Sequence, residues 1–70
     1  MKLVEAIKTY ARGIKSDSTL LDYLYTEHEV AMYHPTVDVE DVTNSWIVYF
    51  AHVAGEKHAK NVRKVLKSLS

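Results

Sequence analysis

The sequence predicts an all-α fold, a compact small bundle of four helices, or three if the last two merge. Three observations predict it. Apolar residues recur at three- and four-residue spacing towards both ends of the chain, the period of a helix with one buried stripe. Gly55 and the single proline fall between the periodic segments, and Gly13 falls in the last turn of the first, where they punctuate rather than interrupt. The most apolar stretch, residues 38–54, opens with acidic residues suited to a helix start. At 70 residues the chain makes a single small helical domain, 1–70.

The first helix is expected over residues 2–14. Leu3, Val4, Ile7, Tyr10, Ala11 and Ile14 form its apolar stripe. Lys8, Arg12 and Lys15 gather on the other side. Gly13 weakens the last turn and marks the exit.

Ser16, Asp17 and Ser18 form a capping cluster, since each side chain can accept from free amides at a helix start. The second helix is expected over 17–33. Its predicted core face holds Leu20, Leu21, Leu24, His28, Ala31 and Met32, with Tyr23 and Tyr25 flanking it. It stops before Pro35, because proline disfavours helical geometry in the preceding residue, His34.

The third helix is expected over 38–54. Asp38 is read as its cap. Glu40 and Asp41 suit the positive end of the dipole. Val37 and Val42 have the spacing of a hydrophobic staple. Val39, Val42, Trp46, Ile47, Tyr49, Phe50, Val53 and Ala54 share a broad face, with Val48 and Ala51 opposite. A helix this apolar is expected to be mostly enclosed. The alternative, a β-hairpin within 36–53, has alternation and β-branched residues in its favour. It lacks an Asn-Gly or Asp-Gly turn, and a lone hairpin is marginal.

Gly55 is expected to end the third helix, and 56–69 forms the fourth. Ala59, Val62, Val65, Leu66 and Leu69 make its apolar stripe. Lys57, Lys60, Lys64 and Lys67 line the opposite side.

Charge is the clearest non-random feature. Nine basic and nine acidic residues give a formal net charge of zero, yet the signs are segregated. Residues 16–56 contain no Lys or Arg and carry Asp17, Asp22, Glu27, Glu29, Asp38, Glu40, Asp41 and Glu56. Residues 57–70 contain no acid. One consequence is internal: basic terminal helices pair at their edges with acidic central ones.

Two functional readings follow. In the first, the chain is a small non-enzymatic interaction or regulatory protein. It binds a protein partner through the acids and tyrosines of helix two: Asp22, Tyr23, Tyr25, Glu27, Glu29 and Tyr33. Tyrosine suits interfaces because a rigid apolar ring carries a polar tip. A homodimer is one expected form, since a core this small contributes little and self-association supplements it. The alternative is nucleic-acid binding by one basic patch on the first and last helices, formed by Lys8, Arg12, Lys15, Lys57, Lys60, Lys64 and Lys67. No aromatic is interleaved among these cations to stack bases. The helix-turn-helix pattern fails after Gly55, where Glu56, Asn61 and Lys64 occupy positions that need apolar residues.

Other chemistry has little support. There is no cysteine, so disulfides and thiolate metal sites are excluded. The histidines pair six residues apart, off a common helix face, and no HExxH occurs. No nucleophile–base pair and no glycine-rich phosphate loop is present. No enzyme activity, metal or cofactor is expected. No apolar run reaches membrane-spanning length and no targeting segment is visible, so the expected setting is soluble and cytoplasmic. His28, on the predicted core face, is read as a buried group whose protonation would cost stability.

Overall fold

The computed structural model describes residues 1–70. Four α-helices follow one another: α1 (Leu3–Ala11), α2 (Asp17–Tyr33), α3 (Asn44–Ala54) and α4 (Glu56–Leu69). A short 3₁₀ turn at Val39–Asp41 lies between α2 and α3. The all-α bundle expected from the sequence is the observed fold, and the last two helices are separate. No helix is long and apolar enough to cross a membrane.

The helices pair as α1 with α2 and α3 with α4, and α4 also packs on both α1 and α2. Leu3, Ala6, Ile7 and Ala11 of α1 meet Ile47 and Phe50 of α3 and Ala59, Val62 and Val65 of α4 in one core. The α1 stripe is therefore used as its periodicity predicts. That of α4 is used except at its end, where Leu69 is exposed.

α1 is shorter than expected. The amides of Gly13 and Ile14 bond three residues back, to Tyr10 and Ala11. These tight turns end the helix where Gly13 weakens it. At the start of α2 the Ser16 and Ser18 hydroxyls lie 3.3 Å apart, and Ser16 makes no side-chain capping bond. The α2 terminus falls at Tyr33, one residue before the position that Pro35 restricts.

The start of α3 departs from the sequence reading. Asp38 does not cap it. Thr43 does, its Oγ1 accepting from the Trp46 amide at 3.1 Å. Residues 37–39 are instead drawn to the start of the chain. The Leu3 amide donates to the Val37 carbonyl at 2.8 Å, and the Val39 amide to the Met1 carbonyl at 2.9 Å. Lys2 and Asp38 form a single antiparallel bridge, reinforced by an ion pair at 3.6 Å. The β-like alternation of residues 36–40 thus has a use, as one extended contact with the N-terminal residues rather than a hairpin.

α3 is also less enclosed than predicted. Ile47 and Phe50 are buried, Trp46 is half-buried, and Val48, Tyr49 and Val53 are exposed. Trp46 stacks on Phe50 with ring centroids 4.9 Å apart. His34, at the end of α2, points edge-on at Trp46, Tyr49 and Phe50, at 5.4, 5.9 and 5.6 Å. Aromatic edges favour ring faces because of the π quadrupole, and this contact fixes the end of α2 against α3.

Gly55 alone joins α3 to α4. Its φ of 106° and ψ of 152° lie in a region essentially restricted to glycine. The reversal lets the two helices pack on each other directly, with Arg63 Nη1 donating to Asn44 Oδ1 at 3.1 Å across the pair.

Candidate interaction surface

α2 turns a different face to the core from the one its hydrophobicity predicts. Its buried residues are Tyr23, Thr26 and Val30. Tyr23 lies on Tyr10 of α1, ring centroids 5.1 Å apart. Burial, and secondarily the neighbouring Tyr10 phenol, push the Tyr23 hydroxyl up from near 10 to about 12. Tyr23 is therefore a core residue and not part of a partner surface.

Thr26 is polar yet fully buried. Its hydroxyl lies 2.6 Å from His58 Nδ1 and accepts from Asn61 Nδ2 at 3.0 Å, both on α4. It also donates to the Asp22 carbonyl at 3.0 Å. No buried side-chain nitrogen or oxygen is left unpaired. Polar atoms can be enclosed at this helix contact because each finds a partner there.

The cost of this choice appears on the other side of α2. The predicted core residues Leu21, Leu24 and Met32 are 50, 45 and 59% exposed. His28 and Ala31 are exposed with them, which removes the buried role read for His28. Leu20 alone of that set packs partly against the core. The result is an outward stripe of Leu21, Leu24, His28 and Met32 at three- and four-residue spacing, one continuous helix face.

The remaining residues read as partner-binding divide around this stripe. Tyr25 and Tyr33 are exposed, while Asp22, Glu27 and Glu29 are half-buried. On one flank Asp22 pairs with Lys57 of α4 at 3.1 Å. Further along that flank Glu29, Tyr33 and His34 line an open cleft with Tyr49 and Val53 of α3. On the other flank Glu27 shares a groove with Leu20, Leu24 and the α1 cations Lys8 and Arg12. Helical phase alone places Tyr49 and Val53 on the broad apolar face of the third helix. Only the tertiary arrangement brings them to the end of α2.

The cations are divided among several helix borders. Lys8 and Arg12 stand at the α1–α2 border, and Lys8 also lies 3.9 Å from Glu5. Lys57 is held at the α2–α4 border by Asp22. Lys60 borders a groove between α3 and α4, shared with Arg63, His52 and Glu56. Lys15, Lys64 and Lys67 are exposed. No group of three or more His, Asp or Glu side chains comes together in a way that would hold a metal ion.

The chain matches no protein-family model, no curated protein and no solved structure.

Proposed function

We propose that this chain is a small non-enzymatic interaction module, acting in the cytoplasm, that binds a protein through the outward face of α2. One observation carries the reading: three large apolar side chains, Leu21, Leu24 and Met32, stand in line on a helix and are about half exposed. Single exposed apolar residues are ordinary, whereas a contiguous apolar patch with a polar rim marks an interaction site. The rim here is of that kind. Tyr25 and Tyr33 supply rigid rings with polar tips, and Asp22, Glu27 and Glu29 supply charge that orients a partner. A helix face read at such spacing suits another helix laid along it.

The nucleic-acid alternative is less favoured, because Lys8 and Arg12 border α2 and Lys57 is paired with Asp22.

Photo-crosslinking separates these readings. A photoreactive residue is placed at position 24 on α2, or at position 64 on α4, in cells that express the protein. Protein adducts from position 24 and none from 64 are expected. Nucleic-acid adducts from position 64, with none from 24, would overturn the assignment.

A further inference from the structure

We infer that the partner of the α2 face is the same face of a second copy, with the two α2 helices packed antiparallel about a two-fold axis. The inference rests on α2 being the docking face, and it names the occupant.

The first argument is the symmetry of the stripe. A two-fold interface uses one patch twice, so residue i meets j while j meets i. Reversing α2 over itself puts Leu21 against Met32 of the second copy, and Met32 against its Leu21. Leu24 then lies beside His28, again twice. Large apolar groups cover one another at both ends, and no charged side chain falls on the central line.

The second argument is charge. A two-fold axis across antiparallel helices keeps each flank on its own side and exchanges its ends. On the α4 flank one end carries Asp22 with Lys57 at 3.1 Å. The other end carries Glu29 and Tyr33, beside Tyr49 and Val53. Glu29 has no cation within ion-pair distance in its own chain, and residues 16–56 offer none in sequence. Exchange of ends carries Lys57 of the second copy to Glu29. On the α1 flank, Glu27 comes to face Lys8 and Arg12 of the second copy, because these residues share the groove at mid-helix. Parallel packing would instead turn the α4 flank of one copy to the α1 flank of the other, setting Glu29 beside Glu27 and Lys57 near Lys8 and Arg12, so the charges select the antiparallel pair.

Size and net charge are consistent with this. A standard interface takes about 800 Å² from each partner, roughly a sixth of the 4590 Å² surface of this chain. α2 is ~25 Å long at 1.5 Å per residue, against a longest molecular extent of 30 Å. A formal net charge of zero leaves no long-range repulsion between copies.

Sedimentation equilibrium from micromolar to millimolar protein tests the inference on the intact chain. The parent is expected to dimerise. Leu24→Lys should keep the helical circular-dichroism spectrum, since the side chain is half exposed, and sediment as a monomer. Glu29→Lys and Lys57→Glu should each weaken the dimer several-fold, and the double variant should restore it. A parent monomeric at every concentration would overturn the inference. So would a dimer indifferent to Leu24→Lys, or single charge reversals that the double variant does not rescue. If the parent is monomeric while position 24 crosslinks to a different protein, the docking face stands and only its occupant is wrong.

Discussion

Thr26 Oγ1 and His58 Nδ1 lie 2.6 Å apart, joining α2 to α4 by a hydrogen bond between two polar side chains 32 residues apart in sequence. The hydroxyl has one proton and two lone pairs, and it also contacts the Asp22 carbonyl and the Asn61 amide. All three contacts are hydrogen bonds together only if the hydroxyl proton goes to Asp22 and Nδ1 of His58 carries a hydrogen. The His58 ring is therefore expected as the Nδ1–H tautomer at neutral pH, which long-range nitrogen–proton correlation spectra read directly. Thr26→Val keeps the shape and leaves His58 and Asn61 without their partner. It should cost ~1–3 kcal/mol in a urea unfolding series, and Thr26→Ser much less.

Gly55→Ala should destabilise the chain by ~1–3 kcal/mol. A Cβ at Gly55 would meet nothing within 4 Å, so the whole effect comes from the backbone φ of 106°. Gly13→Ala is the control. Its new methyl meets only the Tyr10 carbonyl at 3.6 Å, and no positive φ is required there. It should be close to neutral. Thermal melts of both variants compare the two positions.

Alkaline pH should destabilise the protein through Tyr23. Its hydroxyl is held up to about 12 in the fold, against an ordinary value near 10 in the unfolded chain. Between these values the folded state binds the extra proton, so stability is fully present below pH ~10 and falls as pH rises towards 12. Tyr23→Phe removes the ionisation. Its denaturation midpoint should then fall less than the parent's between pH ~10 and pH ~12, the window set by that shift.

Phe50→Ala should cost ~3–5 kcal/mol, because Phe50 is completely buried and stacked on Trp46. Tyr49→Ala should cost far less, since the Tyr49 ring is half exposed and contacts His34 by an edge. The two residues are sequence neighbours on one predicted face, so chemical denaturation of this pair measures how much of that face is core.

Helix number, the ends of α2 and α4, and the core stripes of α1 and α4 were legible in the sequence. Each of these is set by local signals: Pro35, Gly55 and repeated aliphatic residues. The start of α3 was not, because two capping signals compete within 38–44. The backbone pairing of residues 37–39 with Met1 and Leu3 decides between them, and it is non-local. The phase of α2 was misread for a related reason. Leu21, Leu24 and Met32 are more apolar than Tyr23, Thr26 and Val30, so hydrophobicity alone turns the helix inside out. What stabilises the observed phase is supplied from elsewhere in the chain, by Tyr10 against Tyr23 and by His58 and Asn61 on Thr26. The candidate surface was half legible. Its acids and tyrosines were identified, while its apolar centre was assigned to the core.

The most direct measurement is a dilution series of amide nitrogen–proton spectra on the parent protein. If α2 docks on α2 of a second copy, resonances of Leu21, Leu24, Tyr25, His28 and Met32 should move with concentration, and those of Lys60, Lys64 and Lys67 should stay still. Spectra that do not change over the whole range, or changes confined to the lysine row of α4, would contradict it.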